Sequence, residues 1–144
     1  MKLSQSLVAL GFCLSVGFSA VTSAAGDLTR KPTALPDLVM GNAQSDYAFS
    51  QSEYQLETGQ AYKLEIISSG LKEYALQAPG FFTSIYLRKV EAGGMEIKAV
   101  SLTELEFEDE GRASLYFVPI KPGTFEFYAD GLQNKGMVGT FVVK

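Results

Sequence analysis

The chain has 144 residues, with 12 lysine and arginine residues against 16 aspartate and glutamate residues, and its formal net charge is −4 at pH 7. An acidic balance argues against nucleic acids and anionic membrane surfaces as partners, because both reward clustered basic side chains. The chain has no histidine and a single cysteine, and it carries no nucleophile motif or phosphate-binding loop. The composition therefore predicts a protein that is not an enzyme.

The first 25 residues have the pattern of a secretory signal peptide. Lys2 gives a positive start, an apolar stretch covers Leu3–Val21, and small residues follow as far as Ala25. We therefore expect cleavage, a periplasmic or secreted location, and no membrane insertion of the mature protein. A transmembrane anchor is the alternative, but the stretch is short for a span and no basic cluster follows it closely. A lipid anchor on Cys13 is disfavoured by the bulky residue before it and the long apolar run after it.

Removal of residues 1–25 takes away Lys2 and Cys13, which leaves a net charge of −5 and no thiol. A domain of about 120 residues can bury an adequate core without disulfides. Residues 26–44 contain Pro32 and Pro36 and show little periodicity, so they predict an N-terminal arm or linker. No second linker follows, which predicts one domain over residues 45–144.

From about residue 46 onward the pattern is that of short β-strands. Tyr62, Leu64 and Ile66 alternate with charged residues, which is the period of a half-buried strand. Strand-like runs at 85–90 and 95–100 flank Gly93-Gly94, and glycines permit the positive φ of a tight hairpin turn.

Three more strand-like runs follow at 115–118, 124–128 and 139–143, and the sequence Lys-Pro-Gly at 121–123 predicts a turn between the first two. Short, aromatic-rich strands separated by turns predict an antiparallel sandwich or barrel. Residues 100–110 leave room for one short helix, because the leucines at 102 and 105 have helical spacing.

The second half of the chain resembles the cupredoxin family. FVPIKPGTFEFY at 117–128 is similar to the strand and turn that lead to the copper-ligand loop, and GMVGTFVV at 136–143 is similar to the strand that leaves it. Residues 78–90 resemble the region after the first histidine ligand in exported, oxidase-subunit-II-like members, and residues 49–64 resemble the two opening strands. The resemblance covers residues 45–144 and implies an all-β, Greek-key β-sandwich with an extra hairpin at Gly93-Gly94.

A type 1 copper site in this family uses two histidines, one cysteine and usually an axial methionine. The resemblance places Tyr74 or Glu73 at the first histidine position and Ala129 at the cysteine position. The second histidine position falls in a shortened loop near residues 133–134, and only Met137 is retained. The resemblance thus implies a degenerate site in which type 1 copper, and with it blue-copper electron transfer, is excluded.

Two functions are compatible with these substitutions, and the metal theme of the family favours the first, with the second as the alternative. The first is an accessory in envelope copper or iron handling, in which Met137, Asp130 and Glu73 hold a metal weakly, in keeping with the metal theme of the family. The second is a metal-free protein-interaction module that retained the sandwich and docks an envelope protein partner on the former copper end. Considered without the family, the residues favour core packing for Met137 and a turn for Asp130.

An acidic run occupies residues 104–110. It is compatible with a loose site for a hard cation or with a docking patch for a basic partner. We favour a third interpretation, in which it is a solvated strand edge, because charges on an exposed edge discourage pairing between sheets of different molecules.

Overall fold

Alternation of apolar and polar residues gives most of the chain strands with one buried face. A computed structural model describes residues 31–144. In the strand Tyr62–Ser69 every second residue is buried, and the strand Val138–Val143 shows the same period. The predicted signal peptide, with Cys13, lies outside the described residues.

The described residues form twelve strands, one helical turn and one 3-10 turn. In chain order they are β1 (Thr33–Ala34), β2 (Leu38–Asn42), β3 (Ser45–Phe49), β4 (Glu53–Leu56), β5 (Tyr62–Ser69), β6 (Tyr74–Gln77), α1 (Pro79–Phe82), β7 (Ile85–Ala92), β8 (Met95–Ile97), β9 (Glu104–Phe107), β10 (Glu110–Pro119), β11 (Gly123–Ala129), the 3-10 turn Gln133–Lys135, and β12 (Val138–Val143).

The strands form two mixed sheets that face each other as a sandwich. The larger sheet has the order β3-β2-β5-β10-β7-β8, with β1 also beside β5, and the smaller has the order β4-β12-β11-β6-β9. The chain crosses repeatedly between the sheets, and the connections β5 to β6 and β6 to β7 are examples. The predicted all-β sandwich is confirmed.

The core between the sheets is rich in aromatic rings. The rings of Phe81 and Phe141 stack with their centroids 4.0 Å apart, and Phe127 lies 4.8 Å from Phe141. All three side chains are buried. Helix α1 begins with Pro79 at its first position and places Phe81 and Phe82 in the core.

The predicted hairpin and the predicted turn are both present. Strands β7 and β8 pair antiparallel on either side of Gly93 and Gly94, whose φ angles are +55° and +77°. Positive φ at both central residues is what a two-residue hairpin turn requires. The segment between Pro119 and Gly123 connects β10 to β11 as a turn.

Two segments of the chain differ from what their sequence indicates. Residues 33–42, assigned to the arm, form β1 and β2, which both run parallel to β5. Leu38 and Met40 are fully buried there, so the packed domain begins before residue 45. The short helix for which residues 100–110 left room is not present, because Glu104–Phe107 pairs with β6 as strand β9, where Leu105 and Phe107 alternate with exposed glutamates.

Candidate functional site

The end of the sandwich that carries the predicted ligand positions is built from β6, the end of β11 and the loop 130–137, and we call it the pole. The N–H of Ala129 donates to the carbonyl of Met137 at 3.1 Å, which closes the loop on itself. The N–H of Asp130 donates to the carbonyl of Ala75 at 2.9 Å, which fixes the loop beside β6. The structure therefore brings the backbone of Asp130 and Met137 close to the strand that begins at Tyr74.

Tyr74 fills the position that the resemblance assigns to a histidine ligand. Its side chain is fully buried, and its hydroxyl donates a hydrogen bond to the carbonyl of Asp46 at 2.8 Å. Gly41 lies against it with a φ of +75°, and a Cβ at that position would collide with the Tyr74 hydroxyl and with the Oγ of Ser69. The tyrosine is thus held by a close approach that only glycine permits.

Ala129 and Met137 complete the interior of the pole. Both are fully buried and belong to the same apolar cluster as Tyr74, and Leu132 packs against that cluster from the loop. The thioether of Met137 therefore lies among core side chains. Packing of this kind leaves the interior of the pole apolar.

The two predicted carboxylate ligands lie on the surface. Asp130 and Glu73 are both exposed, in contrast to Met137. Within residues 31–144, no three or more histidine, cysteine, aspartate or glutamate side chains are grouped closely enough to hold a metal ion together. A site that combines Met137 with two carboxylates remains a prediction.

The donor groups of the pole do not fit a type 1 copper centre. That centre is defined by a soft thiolate and two imidazoles. The sequence has no histidine, and its single cysteine is residue 13. At the positions that the resemblance assigns to the first histidine and the cysteine, the pole has a tyrosine whose hydroxyl already donates a hydrogen bond and an alanine.

The acidic run lies along an edge of the smaller sheet. Glu104 and Glu106 are exposed on β9, and residues 108–109 form the connection to β10. The amide of Gln77 donates to the carboxylate of Glu104 at 2.9 Å across the strand pair. This placement agrees with a solvated edge that carries charge.

A ladder of charges covers the outer face of the larger sheet. The Nζ of Lys89 lies 4.6 Å from the centre of the Tyr116 ring, and it also contacts Glu91 at 2.5 Å and Glu96 at 2.8 Å. The Tyr116 hydroxyl donates to Glu91 at 2.9 Å. Lys98 contacts Glu96 from the other side at 2.8 Å. Lys89 is therefore the centre of the ladder.

These contacts predict acid sensitivity. Hydrogen bonds from Lys89 and then Lys98 hold the pKa of Glu96 at about 2, and Lys89 and then Tyr116 lower the pKa of Glu91 from its ordinary value of 4.5. Because folding lowers both pKa values, the stabilisation is present above pH 4.5 and is lost as the pH falls towards 2. We expect the melting temperature to fall across that window.

Lys89→Met should flatten the fall in melting temperature between pH 4.5 and 2. Lys72→Met is the matched control, because Lys72 lies 3.8 Å from Asp46 on an exposed surface. Thermal melts at a series of pH values provide the measurement. An unchanged acid profile in Lys89→Met would contradict the role of the ladder.

The comparisons with known proteins show the fold. No protein-family model matches the chain, and no curated protein matches it in sequence. Two solved multicopper oxidases are similar in structure. The one from Campylobacter jejuni has a TM-score of 0.55 and 12% identity, and the match covers 80% of this chain and 31% of that one. The other has a TM-score of 0.58 and 13% identity, and the match covers 80% of this chain and 46% of that one.

A copper nitrite reductase from Nitrosomonas europaea is also similar, at TM-score 0.51 and 13% identity, and the match covers 66% of this chain and 33% of that one. The chain therefore spans 31% to 46% of the length of these proteins. Identities this low establish the fold alone. The class that the fold defines is the cupredoxin-like β-sandwich.

Within the described residues, no helix is long and apolar enough to cross a membrane.

Proposed function

We propose that this protein is an exported, non-enzymatic interaction module that uses a cupredoxin-like sandwich as a scaffold and holds no type 1 copper. The observation that carries the proposal is the filled pole. Tyr74, Ala129 and Met137 are each 0% exposed, and the Tyr74 hydroxyl is already bonded to the Asp46 carbonyl. The Tyr74 side chain would have to break this hydrogen bond and open the core before its hydroxyl could contact a metal.

The rigid scaffold supports the same proposal. In the larger sheet, residues 110–117 of β10 pair with β5 and residues 113–119 pair with β7. Rigid sandwiches with variable edges and loops are suited to recognition, because binding then orders few side chains. Export and an envelope partner remain part of this proposal, on the basis of the signal-peptide pattern of residues 1–25.

Weak copper or iron handling is the second candidate. It is favoured by the convergence of backbone at the pole, where Asp130 bonds to Ala75 and Ala129 bonds to Met137. A rotation of the exposed Asp130 and Glu73 side chains towards a displaced Met137 would assemble thioether and carboxylate donors. Such a set suits neither a hard nor a soft ion well, so the affinity would be low.

A thermal melt separates the two candidates. Purified protein is heated with Cu(I), Fe(II), Fe(III), Zn(II) or Mn(II), each in excess. The interaction module predicts no rise in melting temperature with any ion. A bound ion at a hundredfold excess over its dissociation constant would stabilise the fold by about 2.7 kcal/mol, which raises the melting temperature by roughly 5 °C.

Two variants locate any effect that is seen. Met137→Leu removes the thioether with little change in volume, and Asp130→Asn removes the charge. A rise that either variant abolishes would overturn the proposal in favour of a metal site at the pole. A rise that survives both would place the metal elsewhere, with the acidic run at 104–110 as the next place to examine.

A further inference from the structure

The outer edge of β7 is only partly covered. Strand β8 pairs with Val90–Ala92 and ends at Ile97, and residues 98–100 continue beside β7 without pairing to it. A groove of about 590 Å³ lies between the first half of β7 and those residues. Its walls are formed by Ile85, Tyr86, Leu87 and Arg88 on one side and by Lys98, Ala99 and Val100 on the other, and Ile120 lies at the end where β7 begins, beside Ser84.

The pairing of β7 with β10 shows which backbone groups face this groove. Pro119 lies opposite Ile85 and has no N–H to donate, and its carbonyl accepts instead from Gly59 at 2.8 Å. One pair further on, the N–H of Ile120 donates to the carbonyl of Ser84 at 2.9 Å. Opposed residues in an antiparallel pair alternate between bonded and non-bonded, so Ile85 and Pro119 are a non-bonded pair.

It follows that Tyr86 and Val118 are a bonded pair and that Ile85 and Leu87 direct their N–H and C=O groups away from β10. Within residues 31–144, those groups have no strand partner, because β8 pairs only with Val90–Ala92. The groove therefore contains a row of free donors and acceptors. A row of this kind is a template for an added strand.

The side chains around the row are apolar. Val100 is 98% exposed, Ile120 is 60% exposed and Tyr86 is 50% exposed, and all three line the groove. The edge strand β9 of the smaller sheet differs from this edge, because its exposed side chains Glu104 and Glu106 are charged. An exposed apolar patch next to unpaired backbone groups marks an interaction surface.

The charged side chains of the groove indicate which kind of segment would bind there. A β-bulge lies here, because Leu87 pairs with Phe117 while Lys89 pairs with Tyr116, which leaves Arg88 as the extra residue. Arg88 lines the groove and has no carboxylate within ion-pair distance among the described residues. Lys98, on the opposite wall, already contacts Glu96 at 2.8 Å, so Arg88 is the positive charge of the groove that has no carboxylate partner among the described residues. An arginine of this kind favours a segment that carries carboxylates.

We propose that the free edge of β7 binds an extended segment of a partner protein in which apolar residues alternate with carboxylates. The segment adds a strand to the larger sheet, with its backbone on Ile85 and Leu87, its apolar side chains against Val100 and Ile120, and a carboxylate beside Arg88. This inference rests on the proposed interaction function and names the surface that serves it, which is distinct from the pole.

The test uses nuclear magnetic resonance of the labelled protein with the synthetic peptide acetyl-(Val-Glu)₃-amide. In the free protein, the amide of Leu87 should exchange with solvent faster than that of Tyr86. Addition of the peptide at millimolar concentration should shift the resonances of Ile85 and Leu87 and slow the exchange of Leu87. The peptide acetyl-(Val-Lys)₃-amide should bind at least about tenfold more weakly, because Arg88 repels its lysines.

Ile120→Glu should weaken binding by at least about tenfold, because it places a charge of the peptide's own sign in the groove. Leu71→Glu is the matched control, since Leu71 is a 47% exposed apolar side chain outside the groove. The proposal is overturned by equal protection of Leu87 and Tyr86, by shifts that fall elsewhere, or by equal binding of both peptides. Dimerisation of the free protein through this edge would overturn it in favour of a second copy. A melting temperature that rises with a metal ion would instead refute the proposed function, but it would not contradict strand addition at the edge of β7.

Discussion

Phe127→Ala should lower the free energy of unfolding by about 3–5 kcal/mol. Phe127 is 0% exposed, and its ring lies among those of Phe49, Tyr54 and Phe141, at centroid distances of 5.4, 5.9 and 4.8 Å. Truncation removes the buried ring and leaves a cavity that three rigid aromatic neighbours cannot fill. Since domains of this size have a total stability of roughly 5–15 kcal/mol, the loss is a large fraction.

Urea denaturation of the wild-type protein and the variant measures the change. Phe125→Ala is the matched control, because Phe125 lies two residues earlier in the same strand and is only partly buried. We expect the control to lose clearly less stability than Phe127→Ala. Equal losses at the two positions would show that the core is not centred on Phe127.

The sandwich was predictable because its strands have the simplest pattern. In β5, alternate residues are buried from Tyr62 to Ser68, and a period of two can be recognised without knowledge of the partner strands. The hairpin at Gly93-Gly94 was predictable for a similar reason, since the turn chemistry is local. Both predictions depend only on residues that are close to one another in the sequence.

The strands β1 and β2 were missed because their stability is not local. They lie one after the other along the same edge of β5, interrupted by Pro36, whose carbonyl accepts from the Tyr54 hydroxyl at 3.1 Å. Two prolines and a short apolar run indicate a linker when the parallel partner is not visible. The possible helix at 100–110 has the same explanation: Leu102 and Leu105 have helical spacing, but pairing with β6 makes Glu104–Phe107 a strand.

The candidate site was only partly predictable. The resemblance identified Tyr74, Ala129 and Met137 as residues of one end of the fold, and the structure brings the segments that carry them together. It could not indicate that Asp130 and Glu73 are exposed while Met137 is buried, since that depends on how the loop closes. The groove beside β7 was missed because it depends on where β8 ends relative to β7.

The second large effect on the free energy of unfolding is expected for Gly41→Ala at the pole, and Gly94→Ala in the hairpin turn is its control. Gly41 and Gly94 have nearly the same φ, +75° and +77°, so Ala at either position should cost about 1–2 kcal/mol of backbone strain. A Cβ at Gly94 meets nothing within 4 Å, whereas one at Gly41 collides with the Tyr74 hydroxyl and the Ser69 Oγ. We therefore expect Gly41→Ala to cost a further 1–3 kcal/mol or so, as in other overpacked cores.

Tyr74→Phe tests whether the hydroxyl is the cause. Alone it should cost about 1–3 kcal/mol, because the carbonyl of Asp46 loses its buried donor. In the Tyr74→Phe background one of the two atoms that the new Cβ strikes is gone while the Ser69 Oγ remains, so the extra cost of Gly41→Ala should fall in part, by about 1 kcal/mol. Urea denaturation of the four proteins in this cycle, with Gly94→Ala beside them, measures both effects. If Gly41→Ala proves no more costly than Gly94→Ala, the pole has room to move, and Tyr74 is not locked in the position where a metal ligand would be needed.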